Sequence, residues 1–136
     1  MQATVTWVDD VTFVGEAGSG NSVVMEGGHK NNGIRPMEMI LLGVGGCASY
    51  DVVSILKKAR QDIQSCHCEL VGDRPDATPS PFTRIEMEFV VRGRNLRETQ
   101  VARAVELSAE KYCSASIMLR NAGVEIVHSY RVENVE

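Results

Sequence analysis

The sequence predicts an α+β fold, on three observations. Short β-patterned runs, a long apolar helix, more β runs, a second helix and a last strand follow one another in blocks rather than in βα alternation. The segment from Met37 to about Ala59 is apolar nearly all round in its first half, the pattern of a helix buried on every side. Clusters of Gly, Pro and Asn punctuate the intervals between periodic runs.

Residues Ala3 to Val8 and Val11 to Val14 read as two strands joined at Asp9-Asp10, a hairpin signal. Glu16 to Asn21 reads as a turn, Ser22 to Met25 as a third strand, and Gly27 to Gly33 as a loop. Pro36 fits the first position of the long helix, where a missing N–H is harmless. Glu38 in its first turn and Lys57, Lys58 and Arg60 at its end suit the helix dipole. Gly43, Gly45 and Gly46 each cost roughly 1 kcal/mol in a helix relative to Ala, so a close approach of another backbone or a ligand is expected there. Ile63 to Gly72 and Thr83 to Arg92 read as strands, the latter with Ile85, Met87, Phe89 and Val91 on one face, and the proline-bearing linker Asp73 to Pro81 as an extended loop. Leu96 to Tyr112 reads as an amphipathic helix with Val101, Ala104, Val105, Ser108 and Tyr112 on its apolar side. Ser114 is the expected cap of a short helix ending near Gly123, and Glu125 to Val132 the final strand.

A chain of 136 residues fits one domain spanning residues 1–136. Its net charge of -4 argues against a nucleic-acid partner, which selects a basic surplus. No basic stretch precedes an apolar run at the N-terminus, and the longest mostly apolar stretch, Met39 to Tyr50, is shorter than the ~20 residues a bilayer needs, so a cytoplasmic protein without a membrane partner is expected. In that compartment Cys47, Cys66, Cys68 and Cys113 rest as thiols, and spacing alone does not choose among their pairings.

Cys47 lies in the glycine-rich apolar helix, and Cys113 between the end of one helix and the start of the next, where free N–H groups favour an anion. Either one also fits a plain buried cysteine. Cys66 and Cys68, two apart in a strand, share a face from which His67 points away, and His29 and His128 are isolated, so no metal is expected. No dinucleotide or phosphate-loop pattern occurs, and no cofactor is expected. The five arginines between Arg84 and Arg103 are interleaved with acids and read as a solvated face. Met25, Met37, Met39, Met87 and Met118 read as core residues that also suit the lining of an apolar pocket.

The stretch Arg35-Pro36-Met37-Glu38, followed at the end of the same apolar run by Gly45-Gly46-Cys47, resembles the OsmC/Ohr signature, and Lys111-Tyr112-Cys113-Ser114 matches the place of that family's second cysteine. The wording is nearest to the YhfA-type branch. The resemblance covers most of the chain. It implies antiparallel sheets wrapped around a long buried central helix in an intertwined homodimer. It also implies a peroxidatic Cys47 that becomes a sulfenic acid, a resolving Cys113, and a small dithiol as reductant. Glu38 would join the two cysteines in the catalytic set, and Arg35, Met37 and Met39 are the candidate substrate-binding residues for a small apolar hydroperoxide. Met37 stands where the family carries an acid, Ser114 where a proline often follows, and no arginine precedes Arg35; Lys30 and His29 are the only earlier cations. Two functions are therefore expected as alternatives: a thiol peroxidase of organic hydroperoxides, or a non-enzymatic dimeric protein holding a small ligand in an apolar interface pocket.

Overall fold

The structure, a computed structural model, describes all of residues 1–136. The chain forms two compact units, Met1–Leu42 and Gly43–Glu136.

In the first unit β1 (Ala3–Asp9), β2 (Thr12–Ala17) and β3 (Ser22–Glu26) form an antiparallel meander in that order. The hairpin falls where Asp9-Asp10 predicts it, with Asp10 in the left-handed region at φ 49. The Trp7 Nε1–H donates to the Asp10 carbonyl across that turn at 2.8 Å. Ile34 closes the loop after β3: its N–H donates to the Val24 carbonyl and its own carbonyl accepts from the Glu26 N–H. Glu26 is wholly buried; its Oε1 accepts from the Lys30 N–H at 2.9 Å, while Oε2 has no partner.

The long helix α1 runs Pro36–Lys58 and crosses from the first unit into the second. Its start is a capping arrangement, in which Glu38 Oε1 accepts from the Arg35 N–H at 2.9 Å. With 23 residues and a mean hydropathy of 1.8 over its most apolar stretch, α1 has the length and composition of a membrane span, because the apolar run resumes after Asp51. Within one chain α1 is buried along one side. Val44, Ala48, Val52 and Leu56, spaced one turn apart, are fully buried, whereas Ile40, Leu42 and Tyr50 are exposed. A single chain covers one stripe of this helix. Of the three glycines, Gly45 meets a neighbour closely, since a Cβ there would lie 2.7 Å from Leu70 Cδ1; Gly43 and Gly46 face open space.

The second unit carries the sheet β4 (Asp62–Asp73), β5 (Arg84–Arg94) and β6 (Glu125–Asn134). β4 and β5 are antiparallel, but β6 joins β5 in parallel, so this sheet is mixed rather than antiparallel throughout. The parallel pairing follows from the helical crossover between β5 and β6. Ile85, Met87, Phe89 and Val91 form the buried face of β5, as their alternation predicts. The predicted Leu96–Tyr112 helix is instead α2 (Glu98–Leu107) continued by a π-helical turn (Ser108–Tyr112), and α3 (Ser114–Asn121) follows. The wider turn changes the phase of the apolar stripe. The Cys113 N–H reaches back five residues to the Ser108 carbonyl at 2.9 Å. Cys113 thus takes the inward position after Ser108, and Tyr112, expected inside, is turned outward at 49% exposure.

Candidate functional site

Cys47 and Cys113 meet inside the second unit. Cys47 is half-buried on α1 and Cys113 is fully buried, and neither is in a disulfide. Cys47 lies close enough to act on the Cys113 thiol by hydrogen bonding and by charge.

Cys113, not Ser114, is the N-cap of α3; its Sγ accepts from the Ser116 N–H at 3.4 Å. The anion-favouring helix start expected from sequence is therefore present, but it does not win. Burial pushes the Cys113 thiol up from 9.0, the Ser116 contacts oppose this, and the neighbouring Cys47 adds to it. Of the two residues only Cys47 is partly exposed.

Two polar groups fix the π-turn that delivers Cys113. The buried Ser108 hydroxyl donates to the Ala48 carbonyl at 3.2 Å and to Asp51 Oδ2 at 3.4 Å, tying the turn to α1 one helical turn beyond Cys47. Burial raises the Asp51 carboxyl, and the Ser108 hydroxyl acts against it. Arg120 Nη2 on α3 donates to the Ala109 carbonyl at 2.8 Å, and its Nη1 stands 3.6 Å from Glu110 Oε2. His128 on β6 is held down by burial and by the Arg120 charge, with its Nε2 buried and unpartnered. Sequence reasoning missed Asp51, Ser108, Arg120 and His128 as a supporting set. Only Asp51 carried a signal, since it lies four residues after Cys47 on one helix face.

Arg35, Met37, Glu38 and Met39 belong to the first unit. Arg35 and Glu38 are exposed and joined by the capping bond already described; Met37 and Met39 are half-buried. Met39 lines an apolar groove of ≈ 370 Å³ with Val5, Val23 and Met25, a setting that suits the pocket reading of the methionines. Cys66 and Cys68 lie on the half-buried face of β4, and His67 on the exposed face contacts Glu69 Oε1 at 3.3 Å. Burial raises both thiols, Cys68 to about 12, which leaves them neutral and unreactive at ordinary pH.

The family of OsmC-like proteins matches residues 27–129. This chain belongs to the OsmC-like family. Within it the chain stands near the YhfA branch: it is 50% identical over 132 residues to Protein YhfA of Escherichia coli K12, covering 97% of this chain and 98% of that protein. A hypothetical protein from Aquifex aeolicus VF5 superposes with a TM-score of 0.88 at 29% identity, over 99% of this chain and 97% of that one. An organic hydroperoxide resistance protein OsmC from Legionella pneumophila shares the fold, with a TM-score of 0.71 at 12% identity over 96% of each chain. The family and the placement of Cys47 beside Cys113 are consistent with a redox role for this OsmC-like protein.

Proposed function

We propose that the chain is a single OsmC-like domain that acts as a cytosolic, homodimeric thiol peroxidase on small apolar organic hydroperoxides. The observation that carries this reading is the meeting of two free thiols of unequal exposure, Cys47 half-buried and Cys113 fully buried. The Cys47 thiolate attacks the distal peroxide oxygen; the O–O bond breaks, an alcohol leaves, and Cys47 becomes a sulfenic acid. Cys113 then attacks that sulfur, the hydroxyl leaves as water, and a disulfide forms. A dithiol returns the two electrons and restores both thiols. The uncovered side of α1 and the exposed apolar residues Val5, Trp7 and Val8 of β1 support a second copy as the partner that covers them.

The test is peptide mapping of the reduced protein after one equivalent of cumene hydroperoxide. A rapid Cys47–Cys113 disulfide is expected, with turnover lost in Cys47→Ser and a dimedone-trappable sulfenic acid in Cys113→Ser. Unchanged thiols at both positions would sink the peroxidase reading. A second reading, a dimeric binding protein without peroxidase chemistry, is favoured by the lack of any arginine before Arg35 and by the apolar groove that Met25 and Met39 line. Thermal stabilisation by apolar ligands without peroxide consumption would mark it.

A further inference from the structure

Three buried side-chain polar atoms have no hydrogen-bond partner: Glu26 Oε2, His128 Nε2 and Ser116 Oγ. Ser116 stands beside the redox pair. It lies in the first turn of α3, three residues after the Cys113 cap, and its side chain is fully buried. Its N–H donates to Cys113 Sγ at 3.4 Å. A buried hydroxyl without a partner destabilises a fold, because the water it gave up is not replaced. Its presence here makes sense if its partner is a charged form of the neighbouring sulfur. A thiol accepts hydrogen bonds weakly, and a thiolate accepts them strongly. The surroundings of Cys113 point the same way. Burial raises its thiol, and Cys47, the one other titratable group that acts on it, raises it further. Only Ser116 opposes them, first through its hydroxyl and then through its N–H; no lysine, arginine or histidine takes part. A thiolate at this position depends on that one residue.

We propose that the Ser116 hydroxyl is a catalytic donor of the resolving step, which turns to the Cys113 sulfur as it ionises and, with the Ser116 N–H, holds the thiolate for attack. The role rests on the two-thiol cycle. In that step the Cys113 thiolate attacks the sulfenic sulfur of Cys47. The S–S bond forms, the S–O bond breaks, and the departing hydroxide takes up the proton that Cys113 released, giving water. The Cys113 sulfur is oxidised and the Cys47 sulfur reduced. The hydroxyl proton swings about its C–O bond to suit the acceptor, so the donor needs no change of backbone. A held thiolate is less nucleophilic but far more abundant, and abundance outweighs the loss while pH stays below the thiol's own value.

The test compares the full reduced chain with Ser116→Ala in two ways. Titration of the cysteine ¹³Cβ signals, with Cys113→Ser to assign them, should show the Cys113 midpoint moved upward in Ser116→Ala, because a donor to the thiolate is gone. Ser116→Thr, which keeps the hydroxyl, should titrate nearer the parent. Stopped flow after one equivalent of cumene hydroperoxide should show disulfide formation slowed about fivefold to tenfold at neutral pH, with dimedone-trappable sulfenic acid building up at Cys47. Urea melts at neutral pH should find Ser116→Ala at least as stable as the parent, since the change removes a buried hydroxyl that has no partner in the thiol state. An unchanged Cys113 titration would overturn the proposal, and so would an unchanged resolving rate. A loss of stability with the titration unmoved would mark a merely structural serine. Should the parent form no sulfenic acid, the peroxidase reading fails by itself, and the titration still decides whether Ser116 holds the thiolate.

Discussion

Replacing Cys68 by Ala is predicted to flatten the alkaline loss of stability. Burial first, then the neighbouring Cys66 and Glu69, raise the Cys68 thiol from 9.0 to about 12. A raised folded-state value stabilises the fold while the group stays protonated. That contribution is complete below about pH 9, where the unfolded chain also holds the proton, and drains away as pH climbs toward 12. At full value a thousandfold difference in acidity is about 4 kcal/mol. Cys68 is only half-buried, and solvent screening brings the expected figure to about 2 kcal/mol. Urea unfolding of the parent and of Cys68→Ala between pH 8 and pH 11 isolates the difference, because tyrosines and lysines titrate alike in both. The parent should lose about 1 to 2 kcal/mol more than the variant across that window. Parallel curves would refute the reasoning and would mean that the β4 thiols ionise freely, which would reopen Cys66 and Cys68 as reactive groups.

Three further outcomes are expected. The resolving step, followed by stopped flow after one equivalent of hydroperoxide, should accelerate about tenfold per pH unit up to pH 9, because Cys113 is held above 9.0 and its thiolate is scarce at neutrality; a plateau below pH 8 would contradict this. Gly45→Ala gains roughly 1 kcal/mol of helix propensity but drives its methyl into Leu70, so urea melts should show little or no net gain; the same change in a Leu70→Ala background should stabilise by about 1 kcal/mol. Ser108→Ala should destabilise by about 1 kcal/mol and raise the Asp51 pKa further, as read by carboxyl-carbon NMR, because the hydroxyl now opposes the burial of that carboxyl.

Most of the architecture was legible because its signals are local. The Asp9-Asp10 turn, the Pro36 start with Glu38 in the first turn, and the alternation through Ile85, Met87, Phe89 and Val91 each need only a few neighbouring residues. What escaped depends on contacts distant in sequence or on a change of helical phase. The parallel seat of β6 beside β5 is decided by the crossover, not by the β6 residues. The π-turn inserts one residue's worth of rotation, and no residue type in Ser108–Tyr112 announces it. Its consequence was misread in two places at once: Tyr112 was expected inside, and Ser114 was expected to cap α3, a role that falls to Cys113.

That same turn links the fold to the chemistry. With a regular α-helix through residue 112, the side chain one turn after Ser108 would be Tyr112, and a phenol would stand where the second thiol is needed. The π-turn withdraws the ring and brings in the sulfur, and it is held in part by Arg120, which donates to the Ala109 carbonyl, and by Ser108, which donates to Ala48 and Asp51. Burial raises the thiols of Cys66, Cys68 and Cys113 alike, but their neighbours differ. On β4 it neutralises Cys66 and Cys68 with no sulfur partner beyond each other. At Cys113 it keeps a thiol out of water beside a partly exposed Cys47, and in the proposed cycle that thiol would act only after Cys47 has been oxidised. A resolving thiol that waits unreactive until its partner changes is what a sequential two-thiol cycle requires, and the geometry of the π-turn, more than the cysteine count, is what makes that cycle physically reasonable here.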